Sequence, residues 1–280
     1  MAQKIWMITG ASRGFGAEIA KAVLAAGDKL IATARKVNAL DCLAKNPNVF
    51  TVALEVTDEP QAKKAVDAGL KQFGRIDVLV NNAGYGLLGA VEETSAQEVE
   101  NIYRTNVFGL LNVTRAVLPS MREQKSGHII NISSIGGYSS YPGWGVYSST
   151  KFAVEGITES LYGELAPLGI HATVVEPGFF RTDFLDSSSL IRAANVISDY
   201  ADTVGKMRDS MEGHNHQQPG APGKLAQAIL QLVGAAEPPV RLPLGTDTLK
   251  RIADKNAFVE KETESWRHGC SLHRLRVKFS

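Results

Sequence analysis

The stretch Thr9-Gly10-Ala11-Ser12-Arg13-Gly14-Phe15-Gly16 joins a short apolar segment to an amphipathic one near the start of the 280-residue chain. Residues 4–9 have the length of a buried strand, and the apolar residues between Ala17 and Leu24 recur at the helical period up to Gly27. A helix that begins at a glycine turn presents free backbone N–H groups and the positive end of its dipole, which together bind phosphate. The Gly-x-x-x-Gly-x-Gly spacing is a variant of the dinucleotide-binding fingerprint. A turn without a ligand could have the same composition, but its place at the first crossover of an alternating pattern favours a phosphate site.

Strands and helices alternate along the rest of the chain. Further strands are predicted at residues 29–33, 49–54, 76–80, 127–132, 170–175 and 240–242. Helices are predicted at residues 40–45, 59–73, 95–123, 147–168, 224–232 and 246–266, and either Thr57 or Asp58 can cap the one at 59–73. Such alternation produces parallel pairing through right-handed crossovers. We therefore predict an α/β fold, a single domain over residues 1–280 with a doubly wound (Rossmann) parallel sheet of about seven strands flanked by helices.

The carboxyl ends of the predicted strands carry polar or flexible residues. In open parallel sheets the ligand lies beyond these ends. Six such positions are occupied by Gly10, Arg35, Glu55, Asn81, Ser134 and Pro177. We expect these residues to border one binding cleft.

The chain becomes irregular after Pro177, with a serine run at 187–189 and a Pro/Gly-rich loop at 219–223. We interpret residues 179–223 as a lid over the substrate, although a surface excursion without a role would have the same composition. Residues 246–280 are predicted to form a helical C-terminal extension. The His214-Asn215-His216 run has no third ligand nearby in sequence, so we predict no metal site.

Composition and charge exclude several classes of protein. The chain is 44% hydrophobic and 21% charged, with a net charge of +1, which is typical of a soluble globular protein and predicts no nucleic-acid partner. Cys42 and Cys270 match no metal or redox spacing. Because neither a signal-peptide layout nor an apolar run long enough to cross a bilayer is present, we expect a cytoplasmic protein without membrane contact. The basic residues of the 267–278 tail could bind an anion or form a frayed terminus.

Tyr147 and Lys151 are a candidate catalytic pair. Residues four apart lie on one face of a helix, and Phe152, Val154 and Ile157 continue a helical pattern. An ammonium beside a phenol favours the phenolate, so we predict a Tyr147 pKa below its ordinary value of about 10. A tyrosine of this kind transfers protons. The same pair also occurs on helices as a core ring and a solvated charge, so it depends on the surrounding motifs.

Several motifs occur in a recognisable order: Thr9-Gly10-x-x-x-Gly14-x-Gly16, Asn81-Asn82-Ala83-Gly84, Asn106, Ser134, Tyr147-x-x-x-Lys151 and Pro177-Gly178. Together they resemble the short-chain dehydrogenases/reductases over roughly residues 4–250. The resemblance implies that Tyr147 is the general acid in carbonyl reduction and the base in alcohol oxidation, and that Lys151 lowers its pKa and hydrogen-bonds the nicotinamide ribose. It implies that Ser134, rather than its neighbour Ser133, donates to the substrate oxygen, and that Asn106 holds a water in the proton relay.

The resemblance also implies a set of cofactor contacts. They are Gly10, Ser12, Arg13, Phe15, Gly16, Arg35, Glu55, Val56, Asn81, Ala83, Gly84, Tyr147, Lys151, Pro177, Gly178 and Thr182. Three features depart from the family pattern: Phe15 replaces an aliphatic residue, Glu55 stands where aspartate is common, and the chain from Thr246 is longer than in compact members. The third departure puts their tetramer packing in doubt.

The end of the second predicted strand bears on the choice of cofactor. Enzymes selective for NAD commonly place an acidic residue there, but this chain has Thr33-Ala34-Arg35. Arg35, with Arg13 from the glycine turn, can meet a 2′-phosphate instead. We therefore expect NADP(H), although either arginine alone could be solvated.

We expect an NADP(H)-dependent oxidoreductase that interconverts a ketone or aldehyde and an alcohol; the alternative is a catalytically silent nucleotide-sensing protein on the same fold. The substrate walls should come from residues 136–146 and 179–211. Substrate contacts are predicted for Ser134, Tyr141, Trp144, Tyr147 and Phe179. These aromatic walls favour a hydrophobic substrate, unless the rings only pack the lid. Surplus apolar residues at 107–121 and 152–165, and the resemblance, predict a homodimer or homotetramer.

Overall fold

The computed structural model of the protein describes residues 3–215 and 217–270. The strands are β1 (Ile5–Ile8), β2 (Lys29–Ala34), β3 (Val49–Ala53), β4 (Val78–Asn81), β5 (Gly86–Leu88), β6 (Gly127–Ile132), β7 (Ile170–Pro177), β8 (Leu190–Arg192) and β9 (Arg241–Leu244). The helices are α1 (Gly14–Ala25), α2 (Asp41–Ala44), α3 (Glu59–Phe73), α4 (Ala96–Tyr103), α5 (Leu110–Gln124), α6 (Gly145–Leu165), α7 (Lys206–His214), α8 (Pro222–Gly234), α9 (Thr246–Ser265) and α10 (Arg267–Cys270).

Seven strands form one parallel sheet in the order β3-β2-β1-β4-β6-β7-β9. The order reverses beside β1, so the chain winds outward in both directions from the first strand. This is the predicted doubly wound α/β sheet, and the prediction is confirmed. The carboxyl ends of all seven strands therefore lie along one edge, where such sheets bind ligands.

Helices cover both faces of the sheet, and β1 shows how the sequence divides them. Trp6 and Ile8 point into the core under α1 and α8, whereas Ile5 and Met7 point into the core under α3, α5 and α6. Every residue of β1 is buried because both faces are covered. This explains why the strand has an uninterrupted apolar sequence rather than an alternating one.

The helical stretch predicted over residues 95–123 is present without a break, but it is not uniformly α-helical. The structure has α4, then one wider π-helical segment at Arg104–Gly109, then α5. A π-helical turn inserts one extra residue into the helical ladder, and such turns recur at functional sites. Asn106, the predicted relay residue, lies within this segment and is buried.

The segment after Pro177 contains more regular structure than the sequence suggested. β8 pairs in parallel with β5 as a small second sheet, and α7 follows. Buried Glu93 fastens this region, since it accepts from the backbone of Ile197 at 2.9 Å and forms an ion pair with Arg208. Burial would raise the pKa of Glu93, but its hydrogen bonds to Ile197, Ala90 and Arg208 outweigh burial and hold it below the ordinary value.

Asp58, rather than Thr57, caps α3, where its side chain accepts from the backbone N–H of Gln61 at 2.9 Å. Within residues 3–215 and 217–270, no helix has the length and apolar character needed to cross a bilayer. The side chains of His214 and His216 lie outside the described residues, as do Arg274, Arg276 and Lys278 of the basic tail.

Candidate active site

A cleft of about 1310 Å³ runs along the carboxyl edge of the sheet. Residues that follow β1, β2, β3, β4, β6 and β7 all line it. Predicted residues that line the cleft are Gly10, Ser12, Arg13, Phe15, Arg35, Glu55, Val56, Ala83, Gly84, Ser134, Tyr141, Trp144, Tyr147, Lys151, Pro177, Gly178, Phe179 and Thr182. Gly16, Asn81 and Asn106 lie behind its surface.

The glycine turn forms a phosphate cradle at one end of the cleft. Gly10 and Gly14 have φ angles of 66° and 54°, which favour glycine, and a side chain on Gly16 would strike the carbonyl oxygen of Gly10. No side chain caps the N-terminus of α1, and its first turn contains no acidic residue. The N–H groups at this end are thus available to an anion, so the cradle fits the diphosphate of a dinucleotide.

The two neighbouring asparagines after β4 have different roles. The Asn81 side chain donates to Thr114 and Asn131, both at 2.9 Å, and is turned into the protein rather than into the cleft. Asn82 lines the cleft instead and donates to the carbonyl oxygens of Thr9 and Gly10, at 3.0 and 3.1 Å. Asn82 thus ties β4 to the glycine turn, and sequence reasoning did not single it out.

Cationic side chains border the cleft at the end of β2. Arg35 and Lys36 follow the strand, and Arg13 of the glycine turn lines the same cleft. No carboxylate of the described residues forms an ion pair with Arg13 or Arg35; Arg13 donates to the carbonyl oxygen of Ser188 at 2.5 Å. No carboxylate in the part of the chain that the structure describes neutralises Lys36 either, and Arg13 keeps N–H donors beyond the one that bonds Ser188, so this border of the cleft can meet an anion.

Glu55 and Phe15, two departures from the family pattern, have local partners. The Glu55 carboxylate accepts from the backbone and hydroxyl of Thr57, both at 3.1 Å, which fixes its direction at the cleft wall. The Phe15 ring packs edge-on against Phe180, with ring centroids 5.5 Å apart. Phe15 therefore joins the cradle to the segment after β7.

Tyr147, near the start of α6, and Ser134, just after β6, meet at the centre of the cleft. The Ser134 hydroxyl lies close enough to the Tyr147 phenol to lower its pKa, and it accepts from the backbone N–H of Gly136 at 3.0 Å. The neighbouring Ser133 hydroxyl is buried and faces Glu155. This geometry favours Ser134 over Ser133 as the group that contacts a substrate oxygen.

The direction predicted for the Tyr147 pKa is wrong. Burial raises the pKa of Tyr147 to about 12, and the Ser134 hydrogen bond only partly opposes this effect. Burial also lowers the pKa of Lys151 to about 8, opposed by the nearby Glu155 carboxylate. The ammonium expected to favour the phenolate is thus itself destabilised by burial, so the phenol stays protonated at neutral pH.

Lys151 lies one helical turn after Tyr147, with its Nζ 5.7 Å from the centroid of the Tyr147 ring. Its ammonium donates to the carbonyl oxygen of Ile132 at 2.9 Å. Asn106 donates to the carbonyl of Tyr85 at 2.9 Å and accepts from the backbone N–H of Tyr85 at 3.1 Å. An added side chain on Gly84 would lie 3.0 Å from the Asn106 oxygen and 3.8 Å from the Lys151 nitrogen. Glycine at this position therefore lets the two side chains approach the cleft together.

Aromatic rings form the substrate end of the cleft. Trp144 packs edge-on against Tyr147 with centroids 5.5 Å apart, and Phe184 stacks over Trp144 at 6.4 Å. Tyr141 and the half-exposed Phe179 complete the wall. Tyr138 does not line the cleft; its hydroxyl contacts Asn256 of α9 at 2.5 Å. The rings thus both pack against one another and border the cavity.

Helix α9 holds two parts of this wall in place. Asp247 accepts from the backbone N–H of Phe179 at 2.7 Å. Arg251 lies 4.2 Å from the centroid of the Tyr141 ring and donates to the carbonyl of Ser140 at 2.8 Å. Neither residue was singled out from the sequence, because the contact of α9 with this loop is a tertiary one. Within the described part of the chain, no group of three or more potential metal ligands is present.

Comparison with known proteins gives consistent similarities. A sequence model described as short chain dehydrogenase matches residues 4–191. The chain is 42% identical to oxidoreductase BOA17 of Botryotinia fuckeliana, over 94% of this chain and 97% of that protein. It is 39% identical to a 3-ketodihydrosphingosine reductase of Bacteroides thetaiotaomicron, over 88% of this chain and 89% of the reductase.

Solved structures show the same architecture. A short-chain dehydrogenase from Streptomyces avermitilis superposes with a TM-score of 0.91 at 40% identity, over 98% of this chain and all of the other. ElxO with bound NADP has a TM-score of 0.74 at 30% identity, over 89% and 100% of the two chains. A Burkholderia phymatum member in complex with NAD has a TM-score of 0.81 at 25% identity, over 93% and 95%.

Proposed function

The chain belongs to the short-chain dehydrogenase family and is an oxidoreductase that takes a nicotinamide cofactor, and we propose that it uses NADP(H) to interconvert a hydrophobic ketone or aldehyde and its alcohol. The observation that carries this proposal is the buried Tyr147 phenol, with the Ser134 hydroxyl close to it and Lys151 one helical turn away. All three side chains line the cleft that contains the phosphate cradle.

Tyr147 supplies the proton for carbonyl reduction. When bound, the nicotinamide donates or accepts the hydride. Because burial holds the Tyr147 pKa at about 12, the phenol is protonated at neutral pH and able to donate to a carbonyl oxygen. Ser134 donates a hydrogen bond to the same oxygen, and the Lys151 ammonium stabilises the phenolate left behind. In the oxidative direction Tyr147 must first lose its proton, so the rate of oxidation rises with pH.

The cofactor preference for NADP(H) rests on the charges around the end of β2. Arg13, Arg35 and Lys36 border the cleft, and none of the residues Thr33-Ala34-Arg35 is acidic. A 2′-phosphate fits this positive surface, whereas an NAD ribose commonly meets an acid at this position. Structural relatives have been solved with NADP and with NAD. The proposed preference for NADP(H) therefore rests on the charges around β2 of this chain.

The substrate class rests on the aromatic end of the cleft. Trp144, Phe184, Tyr141 and Phe179 offer flat apolar surfaces beside Tyr147, which favour a hydrophobic carbonyl compound over a sugar. The name of the Bacteroides relative, 3-ketodihydrosphingosine reductase, supports a ketone with a long apolar part. Residues 179–223 serve as the cover of this pocket.

The experiment that tests the proposal is a panel of hydrophobic ketones and aldehydes assayed with NADPH, for wild type and Tyr147→Phe. The substitution keeps the ring and removes the proton, so turnover should fall ~100- to 10,000-fold while NADPH binding is retained. Tyr162→Phe, an exposed position on the same helix, is the matched control and should keep the wild-type rate. If Tyr147→Phe keeps more than half of that rate where chemistry is limiting, the assignment is wrong. A wild-type protein that binds NADPH but reduces no carbonyl compound would instead support a silent nucleotide sensor.

A further inference from the structure

Two buried glutamates lie behind the catalytic residues, on adjoining elements. Glu155 lies on α6 one turn after Lys151, and Glu176 lies near the end of β7; both are almost fully buried. Arg241 of β9 contacts both carboxylates and also reaches Glu159, its third and solvent-exposed partner, at 2.8 Å. The buried part of the cluster thus contains two acids and one cation.

Three buried oxygen atoms of this cluster make no hydrogen bond among the described residues: Glu155 Oε1, Glu176 Oε2 and Ser133 Oγ, whose hydroxyl faces Glu155. The two carboxyl groups lie close together because both contact Nη1 of Arg241, yet two ionised carboxylates cannot hydrogen-bond each other because both only accept. A proton on one of them turns two unpaired acceptors into a donor and an acceptor. Since unpaired buried polar atoms are costly, this is the arrangement that the geometry favours.

We propose that Glu155 and Glu176 share one proton at neutral pH, and that Glu155 is a positioning residue whose ionisation keeps Lys151 charged as the pH rises. The shared proton concerns the fold alone. The coupling of Glu155 to Lys151 rests on the proposed function, because that function gives the Lys151 ammonium its roles in catalysis and cofactor binding.

The ionisation state of the pair agrees with this geometry. Burial, with a smaller contribution from Glu176, raises the pKa of Glu155 to about 7, although Ser133 and Arg241 oppose the rise. Below this pH the shared proton leaves one negative charge, which Arg241 balances. Above it the pair gains a second negative charge beside Lys151. That charge favours the ammonium, whose pKa burial has lowered to about 8.

The titratable groups around Glu155 are few. On α6 it faces Lys151 and Glu159, from β7 it faces Glu176, and from β9 it faces Arg241. The turn Ile135–Gly137 contributes no titratable side chain, and a side chain on Gly137 would strike both Ser133 Oγ and Glu155 Oε1. His128, the titratable residue of β6, contacts Thr173 and His171 near the first residues of its strand. The pH response of the cluster therefore depends on the acid pair.

The shared proton can be measured directly by ¹³C NMR of the side-chain carboxyls in the full-length protein labelled at glutamate, titrated from pH 5 to 9. Wild type should show a carboxyl that titrates near neutral pH, and this signal should be lost in both Glu155→Gln and Glu176→Gln. Glu159→Gln removes the exposed partner of the same arginine from the same helix, so it should retain the signal. If every wild-type glutamate carboxyl titrates below about pH 5.5, near the ordinary glutamate range, the shared proton does not exist. The wild-type measurement decides this even if a variant fails to fold.

The coupling to Lys151 can be measured from the affinity for NADPH between pH 6 and 10, without turnover. In Glu155→Gln the cluster gains no charge as the pH rises, so affinity should begin to fall about one pH unit or more earlier than in wild type. Glu176→Gln leaves Glu155 ionised beside Lys151 and should not show this shift; Glu159→Gln should follow wild type. If the Glu155→Gln profile coincides with wild type, the coupling is wrong. If wild type binds no NADPH at any pH, the proposed function has failed instead, and the NMR result still decides the shared proton.

Discussion

Ala34 and Arg35, at the end of β2, determine the charge that meets the adenosine ribose. If Arg13 and Arg35 each make one charge-assisted hydrogen bond to a 2′-phosphate, at ~1.5–3 kcal/mol apiece, NADPH is favoured by roughly a hundredfold or more. An acid at position 34, which is buried at the cleft wall, would repel this phosphate and offer the ribose hydroxyls a partner.

We therefore expect Arg35→Ala to lower the NADPH-to-NADH ratio of kcat/KM by about tenfold or more, and Ala34→Asp to move the preference toward NADH. Arg122→Ala, an exposed arginine on α5, is the control and should leave the ratio unchanged. Steady-state kinetics with NADPH and with NADH measures this ratio for wild type and each variant. A wild type that prefers NADH, or two substitutions that leave the ratio as it was, would contradict this interpretation of β2.

For individual site residues, the sequence predicts which side chains share a helix face, but not which way a side chain is turned or how deeply it is buried. Tyr147 and Lys151 could be paired because a spacing of four places them on one helix face. The opposite directions of Asn81 and Asn82 could not be predicted, since both asparagines fit the motif and only the packing around Thr114 and Thr9 separates them. The raised Tyr147 pKa was missed because burial depends on residues distant in sequence, such as Trp144 and Phe184 packed around the ring.

Among the secondary-structure elements, α9 stabilises the substrate wall from outside the cleft. Arg251 stacks on Tyr141 and holds the carbonyl of Ser140, so Arg251→Ala should free the loop that precedes Tyr147. We expect a several-fold rise in KM for bulky hydrophobic substrates, little change in KM for NADPH, and a stability loss of about 1–2 kcal/mol.

Lys250→Ala provides the matched control for this helix. Lys250 is the neighbouring residue, and its ammonium pairs with Asp254 of the same helix rather than with the substrate wall. Kinetics over a size series of ketones, together with urea unfolding, separates the two variants. An Arg251→Ala enzyme whose KM rises equally for small and large substrates would show that α9 does not shape the pocket.

Element boundaries were predictable where the sequence marks both ends. β6 has the predicted bounds because Gly127 and the serine pair at 133–134 flank a run of apolar residues. The π-helical segment at Arg104–Gly109 was not predictable, because one extra residue barely changes the apolar spacing of a long helix. β5 and β8 were missed because each has three residues and neither has a pattern of its own without the other.

For the whole molecule, exposed rings on adjoining elements predict self-association. Phe108 of the π-helical segment is 52% exposed and Phe152 of α6 is 46% exposed, an unusual state for phenylalanine. We expect a homodimer or homotetramer in which these rings are covered. Light scattering at micromolar concentration should give a multiple of 30.1 kDa. Phe108→Glu with Phe152→Glu should shift the mass toward the monomer, whereas Phe258→Glu on α9 should not; a monomeric wild type would refute the prediction.

Acid should destabilise the folded protein through His128. Burial lowers the pKa of His128 to about 3, assisted by His171 and Lys4, while the unfolded chain has the ordinary value of 6.5. Between these two pKa values the imidazole of His128 is protonated in the unfolded state and neutral in the folded state. The contribution of His128 to the free energy of unfolding is therefore fully present above about pH 6.5 and falls as the pH drops toward 3. One such group contributes a slope of about 1.4 kcal/mol per pH unit.

His128→Gln should therefore flatten the fall of unfolding free energy between pH 6.5 and 4.5, even if it lowers stability at pH 7.5. His171→Gln, on the exposed side of the neighbouring strand, should keep the wild-type slope. Urea unfolding at several pH values measures both. Equal slopes in wild type and His128→Gln would show that another group governs acid unfolding.

The position of Arg241 also bears on how the chain is synthesised. Glu155 and Glu176 emerge from the ribosome well before β9, so a nascent chain that ends before residue 241 holds two acids without the cation that balances their charge. Until β9 (Arg241–Leu244) is added, β7 remains an open edge, and these acids must stay hydrated. The glycine turn and its partners on β4 can assemble earlier. The nucleotide half of the cleft therefore does not depend on β9, whereas the catalytic half is completed only when β9 joins the sheet.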